Sequence, residues 1–167
     1  MILLQLILYC ALFTLMVKYG VGNKAINGLY FYPKPVQERA IEIGLIDRQT
    51  MKAKRKRFMT IFFITMAIAL IFIIAIWNKV HTFKEAYLQS LLFLEVMNWY
   101  DGIVIDRLWV GHDKFWILPG TQDLPFVQTW PQVLKKRSLL TIIWIFGSIL
   151  TAGLVVLFQH TILSTVY

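Results

Sequence analysis

Apolar residues gather into four long runs along this chain, Met1–Val21, Met59–Trp77, Phe83–Val110 and Leu139–Gln159. Each has the ~20 residues that, at ~1.5 Å of rise per residue, cross roughly 30 Å of hydrocarbon. The pattern predicts an all-α integral membrane protein built as a four-transmembrane-helix bundle. The expected spans are about 2–21, 59–78, 83–108 and 139–160, joined by long connections over 22–58 and 111–138 and a short link between. A membrane β-barrel would need alternating segments of about ten residues instead.

The long connections carry structure of their own. Pro33 and Pro35 break the chain, and Val36, Ala40, Ile41 and Ile43 then recur at helical spacing. Pro35 suits the first turn of a helix and Gly44 the position just past its end. This predicts a short amphipathic cytoplasmic helix with Glu38, Arg39 and Glu42 on its polar face. Asp47 is placed to N-cap the following helix, with Ile46 and Met51 as a hydrophobic staple. Tyr30, Phe31 and Tyr32 are expected at headgroup depth. The second connection holds Phe115, Trp116, Phe126 and Trp130, with a turn at Pro119-Gly120 and further breaks at Pro125 and Pro131. It reads as an aromatic interfacial loop, lying against the membrane or folded under the bundle.

Composition agrees with the periodicity: 58% of the 167 residues are hydrophobic and 16% charged, with a mean hydropathy of +0.63. Charge then orients the chain. Nine of the 17 basic residues lie between the first two runs, and five more are Arg107, Lys114, Lys135, Lys136 and Arg137. Basic loops stay on the cytoplasmic side. Both long connections are therefore expected in the cytoplasm and both termini outside, in a multi-pass protein of the plasma (inner) membrane. The net charge of +8 becomes a one-sided coat facing the anionic inner leaflet, so membrane lipids are the expected partners and nucleic acid is not. No Lys or Arg precedes Lys18, so the first run reads as a retained helix and not a cleaved signal. Cys10 is the only cysteine, which excludes an intrachain disulfide.

The third run alone carries acids within its apolar sequence. Ionisable groups inside hydrocarbon are costly and mark internal pairing, a pathway or a ligand site. At ~100° per residue, Glu95, Asn98, Gly102, Asp106 and Trp109 share one face. Asp101 falls on the flank of that stripe. Gly102 leaves a gap where a neighbour, a water or a headgroup could approach. The expected ligand-binding set is Glu95, Asn98, Gly102, Asp106, Arg107 and His112. A structural reading stands beside it, in which Glu95 hydrogen-bonds to Gln5, Thr65, Thr141 or Ser148 of another helix, and the cluster from Asp106 to Lys114 is salt-bridged surface.

Catalytic candidates are Glu95, Asp101 and Asp106. Asp101, Asp106 and Asp113 are the acids that could hold Mg2+ beside a substrate phosphate. No Cys/His spacing points to zinc, and neither a P-loop nor a serine nucleophile elbow is present. Glu95-x-x-Asn98 followed by Val104-Ile105-Asp106-Arg107 resembles part of the signature of small integral-membrane diacylglycerol and undecaprenol kinases. Gly102 stands where that family has a second metal-binding Glu, and Asp101 is one position too early to replace it. Asp101-Gly102 is similar to a fragment of the CDP-alcohol phosphotransferase motif, whose Ala-Arg and later paired Asp are missing here. Neither resemblance assigns a family.

In the fourth run, Gly147/Thr151 and Ser148/Ala152 have the four-residue spacing of a close helix-packing face. Packing within the bundle is the expected use, with a homodimer or partner membrane subunit as the alternative. The reading is a small polytopic membrane protein that binds a lipid, a solute or a partner through the third helix, open to the cytoplasmic side. The alternative is a Mg-dependent membrane enzyme acting on a lipid or polyprenyl headgroup.

Overall fold

A computed structural model describes residues 1–163, which form helices and turns and no strands. Three helices are long and apolar enough to cross a membrane: Ile2–Val21, Arg48–Trp77 and Trp130–Thr161. The first is α1 (Ile2–Val21), closed by Gly22 at φ 59. A 3-10 turn (Ala25–Phe31) leads to α2 (Lys34–Glu42), which has proline in its first turn and ends before Gly44 at φ 75. α2 is amphipathic: Val36 and Ala40 are fully buried while Glu38 and Glu42 face out. The Asp47 carboxylate accepts from Thr50 N at 2.8 Å and starts α3 (Arg48–Ile71). Hydrogen bonding from the Thr50 side chain, and then from its backbone N–H, holds the Asp47 carboxyl below its usual range.

α3 continues as a π-helical turn, Phe72–Trp77, and the chain reverses through Lys79 at φ 51. α4 (Phe83–Tyr100) is N-capped by Thr82 and passes into a π-helical stretch, Asp101–Trp109, then the single turn α5 (Val110–His112). Acids and Lys/Arg interrupt the apolar sequence of this third run, and it is not among the three apolar helices. α6 (Trp130–Phe158) begins nine residues before the expected start at 139. Gln132 Oε1 accepts from Thr129 N at 2.9 Å at its first turn, and Pro131 sits where a missing N–H costs nothing. Pro131 thus opens the helix, where the sequence reading has it break one.

The long helices form a square array in the order α1, α3, α6, α4, with α4 and α6 packed most extensively. Ser148 and Ala152 are fully buried in the bundle, while Gly147 and Thr151 stay partly exposed. The array is tied at one end by amides in or just beyond the four long helices. Gln5 Nε2 donates to Asn78 Oδ1 at 2.6 Å, Asn78 Nδ2 donates to Gln89 Oε1 at 2.8 Å, and Gln159 Nε2 donates to the Ala75 carbonyl at 2.6 Å.

At the other end the two long connections pack together as a cap. Tyr32 Oη donates to the Trp116 carbonyl at 2.8 Å, and Arg39 lies 3.8 Å from Asp123. Trp116, Leu118 and Thr121 are buried, so the aromatic loop is folded under the bundle. Tyr32 is 6% exposed, so it sits inside this cap and does not stand free at an interface. Burial pushes the Tyr30 phenol up to about 12 and Tyr32 higher still.

Candidate functional site

The stripe on α4 faces α6, and its organising residue is Arg137, a side chain 2% exposed. One guanidinium bridges two carboxylates: Nη1 reaches Asp101 at 2.6 Å and Nη2 reaches Asp106 at 2.7 Å. Lys136 lies 3.6 Å from Asp106. Asp101 and Asp106 are five apart in sequence. An α-helix would turn them to different faces, but the i→i+5 hydrogen bonding of a π-helix brings such residues round to one side. Val110 N bonds to the Ile105 carbonyl in this pattern. Asp101, placed on the flank by α-helical geometry, is therefore a full member of the cluster.

Gly102 explains how the guanidinium gets so close. A β-carbon there would stand 2.7 Å from Arg137 Nε and 3.1 Å from both Cδ and Cγ. The gap expected at this glycine is filled by the arginine stem. Asn98 is 2% exposed and donates from Nδ2 to the Arg137 carbonyl at 3.1 Å, tying the α4 and α6 backbones together one turn deeper. Glu95 lies beyond it, accepting from Thr141 Oγ1 at 2.8 Å through one oxygen. Of the four partners considered for Glu95, Thr141 is the one that α6 presents.

The remaining predicted residues are elsewhere. Arg107 donates from Nη1 to the Gln128 carbonyl at 2.8 Å and lies over the Trp130 ring at 4.8 Å, so it pins the loop and not the acids. The exposed His112 bonds through Nδ1 to the Leu108 carbonyl at 2.9 Å. Asp113 is exposed and accepts from Phe115 N at 2.9 Å, capping the 3-10 turn Lys114–Trp116. The metal trio is thus not assembled. Asp101 and Asp106 are engaged by Arg137, Asp113 is used in a turn, and no group of three His, Cys, Asp or Glu comes together among the described residues. This donor set does not fit a divalent cation, whose place the guanidinium takes.

A cavity of about 360 Å3 adjoins the cluster, within the range of small-ligand sites. Asp101, Asp106, Asn98 and Arg137 form its polar side. The lining also holds a chain of ring contacts from Phe13 to Phe62 (5.2 Å), Phe62 to Phe58 (5.5 Å) and Phe58 to Phe31 (5.3 Å). The capping loops contribute Tyr32, Trp116 and Phe126 at one end.

Between α3 and α6 the wall has two matching posts. Arg55, Met59 and Phe63 on α3, and Lys136, Leu140 and Trp144 on α6, all line the cavity at i, i+4, i+8 spacing. Arg55, Phe63 and Lys136 are exposed as well as lining, which puts the mouth between these helices. Eight residues of helix span ~12 Å, so on both posts a cation sits about that far below an aromatic ring.

The missed residue is Arg137, counted only as one of the loop cations. The signal for a buried cation lies in the acids of the neighbouring helix, two of which, Asp101 and Asp106, take theirs from α6. Comparison with protein-family models, curated proteins and solved structures finds no match.

Proposed function

We infer that this chain is a four-span membrane protein of the plasma membrane, with both termini outside, that takes an amphipathic molecule from the inner leaflet into the cavity between α3 and α6. The third span is α4 with its π-helical continuation, whose acids are tolerated because Arg137 neutralises them inside the bundle. The basic connections that form the cap are then cytoplasmic.

The observation that carries this reading is the pair of posts, each with a cation at the level of the cap and an aromatic ring ~12 Å farther along. A lipid standing in the inner leaflet has the same polarity over a similar distance. The cap supports lateral entry, because Tyr32, Trp116 and Phe126 cover the end that would admit a cytoplasmic solute. Nothing favours the enzyme alternative, since the acids it would place on Mg2+ are spent on Arg137 and on a turn.

The reading is tested by purifying the full chain in mild detergent and counting retained lipids by native mass spectrometry. One tightly held lipid per chain is expected, and its loss in the mouth-filling variant Met59→Trp/Leu140→Trp. Equal retention by that variant, or no retained lipid in the wild type, would sink the proposal.

A further inference from the structure

Which headgroup the mouth selects can be argued from charge and from unmet hydrogen bonds. Five charged side chains line the cavity: Arg55, Lys136 and Arg137 against Asp101 and Asp106. Three cations over two acids leave one positive charge. Its place is also defined. Arg137 is consumed by the two carboxylates, and Lys136 stands 3.6 Å from Asp106, beyond a good hydrogen bond. Arg55 makes no ion pair among the described residues and projects at the mouth. A cationic headgroup would find the acids already neutralised and Arg55 repelling it.

Hydrogen bonding points the same way. Four residues of the wall hold one buried polar atom without a protein partner: Asn98 Oδ1, Trp116 Nε1, Arg137 Nε and Trp144 Nε1. Asn98, Trp116 and Arg137 are each at most 2% exposed. Buried polar groups are ordinarily satisfied, so several orphans around one cavity signal a missing occupant or ordered water. Three of the four are N–H donors, which calls for a ligand rich in acceptor oxygens. Fork-like guanidinium donors such as that of Arg55 favour an oxyanion.

We propose that the occupant is an anionic amphiphile whose singly charged oxyanion headgroup sits between Arg55 and Lys136, with one hydrocarbon chain against Phe58, Phe62 and Trp144. The proposal rests on the lipid-binding reading above. A cavity of about 360 Å3 holds the headgroup and the first part of one chain, the rest leaving between the posts. Two sources share this chemistry, a phosphodiester lipid such as phosphatidylglycerol and a free fatty-acid carboxylate.

The experiment offers delipidated full-length protein equal amounts of phosphatidylglycerol and phosphatidylcholine with the same chains, and counts one-lipid adducts by native mass spectrometry. Wild type is expected to hold phosphatidylglycerol at least tenfold better. Arg55→Gln should lower that preference about five- to tenfold, Arg55→Lys should restore most of it, and Lys56→Gln, an exposed change on the same helix outside the wall, should leave it intact. Palmitate as competitor separates the sources: displacement of the phosphatidylglycerol identifies a carboxylate amphiphile, and no displacement identifies the phosphodiester. Equal retention of both lipids overturns the headgroup proposal while leaving the lipid-binding reading standing. Retention of neither lipid nor palmitate overturns both. Equal effects of Arg55→Gln and Lys56→Gln would show general surface charge at work and refute the assignment.

Discussion

Gly102→Ala isolates the contact on which the charged cluster depends. The added methyl would lie 2.7 Å from Arg137 Nε and 3.1 Å from Cδ and Cγ, so the whole stem is in the way and not just a mobile tip. Nor can the guanidinium swing aside, because Nη1 and Nη2 are held at 2.6 and 2.7 Å by carboxylates on the same helix as the glycine. Three magnitudes compete. Alanine improves helix propensity by ~1 kcal/mol over glycine. Overpacking costs ~1–3 kcal/mol, and full loss of a buried ion pair costs ~3–5 kcal/mol. Partial loosening of the pairs leaves a net destabilisation of ~1–3 kcal/mol, a fall in melting temperature of about 2–12 °C for a chain of this size.

Thermal unfolding in detergent, followed by tryptophan fluorescence, reads this directly. Gly153→Ala is the control, since nothing lies within 4 Å of a β-carbon there; it should raise the melting temperature by ~2 °C. The decisive comparison places Gly102→Ala in the neutral background Arg137→Ala/Asp101→Asn/Asp106→Asn, which removes the Cγ, Cδ and Nε atoms that crowd the new methyl. With the guanidinium gone the methyl has room, and the substitution should become neutral or stabilising. An equal loss in both backgrounds, or no loss in the native one, would refute the argument that Gly102 exists to admit Arg137.

Two further outcomes are expected. Arg137→Gln leaves two carboxylates uncompensated and should cost ~3–5 kcal/mol, whereas the more exposed Lys136→Gln should cost under ~1 kcal/mol; similar melting temperatures for the two variants would contradict the bridged geometry. Alkali should loosen the cap: the raised Tyr30 phenol contributes stability that is complete below pH ~10 and lost as pH rises through about 12. Tyr30→Phe should flatten the stability curve over that window, and an unchanged alkaline limb would refute the assignment.

The helices were legible because apolar runs of membrane length have few other uses, and α2 was legible from its prolines, Gly44 and the spacing of Val36 and Ala40. Asp47 was readable as a cap because that chemistry is local. The same locality marked the start of α6 in Thr129-x-x-Gln132, a capping-box pattern that the weight given to Pro131 obscured. Glu95, Asn98, Gly102 and Asp106 all meet α6, although regular α-helical geometry holds only as far as Tyr100. Beyond it the helix changes winding. It lets both Asp101 and Asp106 reach an arginine 31 or more residues away. A period read along the sequence carries no trace of such a partner. Charge beside the stripe suggests membership for Arg107 and His112, while the acceptors they use are carbonyls of the loop and of their own helix.

The amides of Gln5, Asn78, Gln89 and Gln159 fasten the bundle at the end away from the cap. From Arg55 to Trp77 the α3 axis is a lever of roughly 30 Å. Pivoting on the amides by about 5°, it would part the jaws at Arg55 and Lys136 by about 3 Å, with little movement at the pivot. Neutral amides suit a fulcrum, since they hold at any pH and salt. The jaws carry two like charges, Arg55 and Lys136, and no ion pair joins α3 to α6 among the described residues. Stiffening the jaws with a covalent cross-link between α3 and α6 should therefore trap whatever is inside, whereas the same cross-link beside the fulcrum should change nothing.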